Sequence, residues 1–256
     1  MPAGHETAAT LPAEERRSKS EALGTKLQRY VWDKRAEGWD EGGVVGLDKV
    51  IRAVLEEAAA EPGTVAVDLG CGTGQLAIPL ALAGARVKAV DISHNMIELL
   101  LKKAAAEGAT GIEGVVAAAE QFELPPGSVD LVVSNYVLHH LHDSDKQRVV
   151  QAAARWLRPG GRLVIGDMMF GRGASARDRE IIGSKVAAMV KRGPAGWWRL
   201  AKNVARFTFR IQERPVPMAT WESYFRQAGF DPVVPRPVVN EAAVMTGVKA
   251  GATPAT

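Results

Sequence analysis

Cysteine is nearly absent from this chain: Cys71 is the only one in 256 residues. A lone thiol makes no internal disulfide and supports no structural zinc site, so no metal is expected and a reducing, cytoplasmic setting is. No run of about 18 apolar residues occurs, which excludes a bilayer-spanning helix. The first residues lack the apolar centre of a secretory leader. Net charge is also small, +3, but unevenly spread. The interval from Gly171 to Arg214 carries eleven Lys/Arg and three Asp/Glu, a local +8 that leaves −5 for the rest. What is plentiful is apolar residues, 46%, enough for one α/β domain with additions.

The most informative stretch is Thr64-Val-Ala-Val-Asp-Leu-Gly-Cys-Gly-Thr-Gly-Gln75. Val65, Val67 and Leu69 predict a short strand. Gly70, Gly72 and Gly74 predict a sharp turn that lets a ligand approach the backbone closely. A helix from Gln75 would aim its first amides at that ligand. A dinucleotide fingerprint needs G-x-G-x-x-G, and Gln75 stands where its third glycine belongs. Asp68 also suits a cationic ligand group better than a pyrophosphate. The next apolar run ends in Asp91, 19 residues beyond Gly72, where a carboxylate can accept both ribose hydroxyls. A nicotinamide enzyme, or plain glycine turns without a ligand, are the competing readings.

Further elements follow from periodicity. Helices are predicted over Leu47–Ala60, Gln75–Ala83, Ser144–Leu157 and Trp221–Ala228, and one more opens after Ser93, a good N-cap. Strands are predicted over Arg86–Val90, Gly114–Glu120, Leu131–Ser134 and Leu163–Ile165, with a last hairpin of Pro232–Val239 and Ala242–Val248 around Asn240 and Glu241. Residues 1–20 read as a disordered arm.

Asp68-x-Gly-x-Gly-x-Gly followed by Asp91 resembles the class I S-adenosylmethionine-dependent methyltransferases, over about Trp32 to Lys249. Trp32-Asp-x-x-Ala36-x-x-Trp39-Asp40 is similar to a segment of the ubiquinone/menaquinone-biosynthesis type, where it closes over the cofactor's methionine end. The resemblance implies an α/β, Rossmann-like, seven-stranded, mostly parallel sheet with an antiparallel last strand and helices on both faces. It also implies one domain over 21–250, with a helical cap insertion at about 168–217. The implied cofactor is S-adenosyl-L-methionine. Its implied contacts are Trp39, Asp68, Gly70, Cys71, Gly72, Gly74, Gln75, Asp91, Ile92, Met96, Ala119, Glu120 and Asn135. The family usually has Asp-Ala-Glu after strand three, the aspartate serving the adenine amine. Here Ala118-Ala119-Glu120 lacks that aspartate, leaving the backbone of Ala119 to bind the ring.

The implied reaction is methyl transfer to a small, apolar organic acceptor. Tyr136 and Asn135 are expected beside the sulfonium, with His139 or His140 as general base for a hydroxyl. The histidines can equally be packing residues, and Met96 plain core. The basic 171–214 segment, with Trp197 and Trp198, reads as a lid over the acceptor. A membrane lipid or quinone surface, or RNA, are its alternative partners. A non-catalytic cofactor-binding protein is the alternative of another class.

Overall fold

A computed structural model describes residues 29–34, 46–171, 178–180, 183, 187 and 213–251. Trp39, the arm at 1–20 and most of the expected cap, including Trp197 and Trp198, lie outside them. The described chain opens with a helical segment at 29–34. The elements after it are α1 (Leu47–Ala58), β1 (Val65–Leu69), α2 (Ala77–Leu82), β2 (Arg86–Asp91), α3 (His94–Ala106), β3 (Ile112–Val116) and β4 (Val129–Asn135). A 3-10 turn at Leu138–His140 leads into α4 (Asp143–Trp156), β5 (Leu157–Met168), α5 (Met218–Gln227), β6 (Phe230–Pro237) and β7 (Ala242–Lys249).

The strands form one seven-stranded sheet in the order β3-β2-β1-β4-β5-β7-β6. All neighbours pair in parallel except β7, which is antiparallel to both β5 and β6. This is the Rossmann-like sheet expected. β7 is buried almost throughout, so its run Ala-Ala-Val-Met is apolar on both faces. β6 is an edge, and Pro232, Pro235 and Pro237 sit there because an edge strand can spare amide donors.

Alternation along β1 sends successive side chains to opposite faces. Val67 and Leu69 join a core with Val149, Val150 and Ala153 of α4 and Trp221 and Phe225 of α5. Ala66 joins the opposite core, with Val50 and Val54 of α1, Leu80 of α2 and Leu100 of α3. Burial of whole side chains such as Trp156 and Trp221 stabilises each layer by about 1.5–3 kcal/mol per large side chain. No described helix is long and apolar enough to cross a membrane.

Several boundaries differ from expectation, and three of the differences have a clear local reason. The third strand ends at Val116, because its partner β2 ends opposite it at Asp91. Residues 117–120 then leave the sheet: the Ala117 amide donates to the Asp91 carbonyl, and the Ala118 carbonyl accepts from Gln121 and Phe122. β5 starts before Arg158-Pro-Gly-Gly161 rather than after it. Leu157 already pairs with Val129, and the Pro-Gly run is absorbed by a register shift between Val129 and Leu131. α2 starts at Ala77, not Gln75, as the Gly70–Gly74 turn continues to Leu76.

Candidate cofactor and acceptor site

The chain runs β1 to β3 toward one edge of the sheet, then crosses back so that β4 lies on the other side of β1. The carboxyl ends of strands flanking such a reversal leave a crevice, which is where open parallel sheets bind ligands. A pocket occupies that position. It is lined by Asp68, Gly70, Cys71, Gly72, Gln75, Asp91, Ile92, Met96, Ala119, Glu120, Asn135, Tyr136 and His140 among the residues expected from sequence. Trp32, Leu47, Leu76, Ala117, Ala118, Val137 and Leu141 complete it.

Asp68 stands at the end of β1 and is fully enclosed, 1% exposed. Burial, then the charge of Asp91, push its carboxyl up to about 8, with the Ala77 amide acting in the opposite direction. The first amide of α2 therefore serves Asp68 rather than a ligand, which corrects the expected role of that helix. Oδ2 of Asp68 has no hydrogen-bond partner among the described residues. Asp91 receives the Gly72 amide on Oδ2 and the Ser93 amide on Oδ1, both at 2.9 Å. Burial raises its carboxyl as well.

Glycine is required at Gly70 on two counts. Its φ is +72°, and an added Cβ would lie 2.3 Å from Val137. Gly72 also has a positive φ, and a Cβ there would meet nothing within 4 Å, so it stays open to the pocket. Gly74 does not line the pocket; a Cβ on it would strike Ile78 at 2.8 Å, so it serves the contact with α2. Cys71 lines the pocket, but burial and the two nearby carboxyls push its thiol well above the usual range. That removes the thiolate a nucleophilic role would need.

At the other side of the crevice, Asn135 ends β4 opposite Gly166. Its Oδ1 is buried without a partner among the described residues. Tyr136 follows with φ +54°, a left-handed backbone that costs a non-glycine residue about 1–3 kcal/mol. Its amide donates to the Gly166 carbonyl, its hydroxyl is buried without a partner among the described residues, and burial pushes the pKa of that hydroxyl up.

The two histidines separate. His140 lines the pocket, with the Trp32 ring 5.1 Å away edge-on. His139 does not line it. It is 4% exposed and held by Asp167, whose Oδ2 accepts the His139 amide at 2.9 Å and whose Oδ1 lies 2.6 Å from Nδ1. The two imidazoles are 4.0 Å apart, centroid to centroid. Asp167 is absent from the residues expected from sequence. A signal for it exists there: an acid closing an apolar strand, the pattern that marks Asp68 and Asp91.

Trp32 is the tryptophan of the N-terminal motif that the described residues bring to the pocket. Its segment is fastened to the start of α3. Ser93 Oγ donates to Asp33 at 2.5 Å, Asn95 donates to the Asp33 carbonyl, and Arg29 donates to the Ile92 carbonyl. No group of three or more His, Cys, Asp or Glu among the described residues is placed to hold a metal ion.

Buried unpartnered oxygens at the ends of the neighbouring strands β1 and β4, a carboxyl suited to a cation, and an open glycine turn are what an amino-acid nucleoside requires. Comparison with known proteins agrees. Residues 67–165 match the methyltransferase domain family. An uncharacterized methyltransferase of Geobacillus kaustophilus (strain HTA426) is 30% identical over 167 residues, covering 63% of this chain and 70% of that protein. The 27-O-demethylrifamycin SV methyltransferase of Amycolatopsis mediterranei (strain S699) is 30% identical over 174 residues, covering 65% of this chain and 62% of that one. Among solved structures, magnesium protoporphyrin IX methyltransferase from Synechocystis PCC 6803, with bound S-adenosylhomocysteine, shares the fold. Its TM-score is 0.62 at 19% identity, over 88% of this chain and 99% of that one.

The chain belongs to the class I S-adenosylmethionine-dependent methyltransferases. Its cofactor is S-adenosylmethionine and its chemistry is methyl transfer, so the nicotinamide and non-catalytic readings fall away.

Proposed function

We propose that this enzyme methylates a hydroxyl group on a small, apolar acceptor. The observation that carries the reading is the buried His139–Asp167 pair lying behind His140 on the pocket wall. A carbon or amine nucleophile has less need of a base; a hydroxyl must lose its proton as the bond forms. A relative named for 27-O-demethylrifamycin SV is consistent with an oxygen acceptor.

The cofactor, when bound, supplies a methyl group already activated by its sulfonium. The protein's part is holding, aligning and drying. Asp68 would hold the amino group and Asp91 the ribose hydroxyls. Gly70 and Gly72 let the chain pass close beneath, with Cys71 and Gln75 filling in around the turn. Ile92 and Met96 would flank the adenine, with the backbone of Ala119 at the ring edge. Asn135 and Tyr136 would face the reacting end. Asp167 is a carboxylate acceptor, so the bond to His139 places a proton on Nδ1 and fixes that tautomer. His140, the histidine that reaches the pocket, takes the acceptor's proton. Trp32, Leu47, Leu141 and Tyr136 give the apolar wall that excludes water.

Methyl-labelled cofactor incubated with a panel of phenols, alcohols, amines and thiols tests the reading. Label should appear in O-methyl products. His140→Ala should cut that turnover about 10²–10⁴-fold, with cofactor affinity nearly unchanged. Transfer confined to amines or thiols, or wild-type turnover after loss of both histidines, would overturn it.

A further inference from the structure

Tyr136 is held in the free protein at two costs. Its backbone has φ +54°, a conformation that bulky residues seldom adopt and that clusters at ligand clamps. Its hydroxyl is buried without a partner among the described residues, which forfeits the hydration of a polar group. The same side chain lines the pocket. A strained residue with an unused donor on a pocket wall points to a ligand that uses it.

The sheet order sets which part of the pocket this is. Asp68 and Asp91 belong to β1 and β2, on one side of β4. Tyr136 follows β4 and is bonded toward the other side, its amide donating to the carbonyl of Gly166 on β5. Its ring packs on Met168 and Phe170, where β5 ends. The His139 imidazole lies 6.1 Å from the Tyr136 ring, nearly perpendicular to it, and 4.0 Å from the His140 ring. A molecule of one or two rings can therefore meet both Tyr136 and the proposed base.

Burial, then the charges of Glu241 and Asp167, push the Tyr136 hydroxyl up, so it stays a neutral phenol with one O–H to donate. The reacting oxygen is a poor partner for it. That oxygen must keep a lone pair free for the methyl carbon, and its own proton goes to His140. A second oxygen on the acceptor fits instead. The negative charges of Asp167 and Glu241 oppose an anionic oxygen there, which leaves an ether, a carbonyl or a further hydroxyl.

We infer that the Tyr136 hydroxyl donates to an uncharged second oxygen of the acceptor, which makes the substrate a hydroxyl compound bearing a further ether, carbonyl or hydroxyl group. The inference rests on the hydroxyl acceptor proposed above. No bond to Tyr136 forms or breaks; it selects and orients the molecule whose other oxygen is methylated. Sites built to meet a polar group discriminate strongly against the analogue lacking it, since the site's own group is left unpaired.

The test uses acceptors matched in size. Each methoxyphenol isomer is compared with the ethylphenol of the same pattern, in which a methylene replaces the ether oxygen. It is also compared with the corresponding hydroxybenzoate, which puts a carboxylate there. Transfer from methyl-labelled cofactor gives kcat/KM. Wild-type protein should prefer at least one methoxyphenol over its ethyl counterpart by about 10-fold or more, with the hydroxybenzoate the poorest of the three. Tyr136→Phe keeps the ring that packs on Met168 and Phe170, and should bring that methoxy and ethyl pair within about 3-fold of each other. The free variant should melt at or above the wild-type temperature, because the hydroxyl removed has no partner in the fold. A methoxy-to-ethyl ratio equal in wild type and variant, a preferred hydroxybenzoate, or a variant that melts below wild type overturns the inference alone. Wild-type protein that methylates no hydroxyl of the set overturns the proposed oxygen chemistry and the inference with it.

Discussion

Asp68 links cofactor binding to pH, and the size of the link follows from its enclosure. The carboxyl titrates at about 8 instead of 3.8 because burial and Asp91 disfavour its charge. At pH 7 about nine in ten free molecules then carry a proton there. A ligand ammonium needs the carboxylate, so binding must expel that proton. Close to one proton should be released per ligand between pH 6 and 7, and affinity should rise by nearly 10-fold per pH unit there. The rise ends near pH 8, where the ligand's own α-amino group, ordinarily at about 7.7–8.0, begins to lose its charge. The sign for stability is opposite in the free protein. A folded-state value above the unfolded 3.8 means that the fold retains a proton the unfolded chain gives up. Free-protein stability therefore falls as pH rises from about 4 to 8, by an upper limit on the order of 5 kcal/mol. Titration of S-adenosylhomocysteine at pH 6.5 in buffers of different ionisation enthalpy measures the released proton directly. Asp68→Asn should abolish the release, weaken binding, and raise the melting temperature of the free protein at pH 8. An enthalpy of binding independent of buffer would refute the reasoning.

Asp91→Ala should weaken S-adenosylhomocysteine binding by ~1–3 kcal/mol, read by calorimetry, since the Gly72 and Ser93 amides lose their shared acceptor. Gly70→Ala should lower the melting temperature even without ligand, because the new methyl would meet Val137 at 2.3 Å in a left-handed backbone; an unchanged melt would show that this turn relaxes freely. Cys71 should react with iodoacetamide only slowly in the folded protein and faster on denaturation, as its buried thiol is held in the protonated form. Rapid labelling of the native protein would contradict that.

Much of this site is legible in the amino-acid sequence, for a physical reason. A parallel strand buried on both faces is a short apolar run, and a carboxylate closing it stands out. Asp68 and Asp91 are marked in that way, and glycine spacing marks the turn between them. What the sequence conceals is whatever depends on direction rather than identity. Gly74 belongs to the glycine pattern, yet the turn carries it away from the pocket and against Ile78 and Leu100. His139 and His140 are neighbours with the same chemistry, and the 3-10 turn sends one to Asp167 and the other to the pocket. The start of β5 is hidden because Pro159 and two glycines read as a break, whereas the sheet tolerates them as a bulge.

The histidine turn shows how far apart in sequence the determinants of one position lie. Three successive carbonyls, at His139, His140 and Leu141, are each taken by a donor from elsewhere. The Arg214 amide reaches the first at 2.6 Å and its guanidinium the second at 3.0 Å, while Lys146 Nζ reaches the third at 2.9 Å. Asp167 holds the same turn from β5. Lys146 is fully buried, a cost met by that carbonyl and by Asp143 at 3.0 Å. Arg214 is the last residue of the basic 171–214 segment, the interval expected to cover the acceptor. The backbone that sets the position of His140 is thus bonded directly to the end of that interval. A substitution that displaces Arg214 moves the proposed base without touching Asp68 or Asp91. Arg214→Ala should accordingly separate the two halves of the reaction, lowering turnover while S-adenosylhomocysteine affinity stays at the wild-type value.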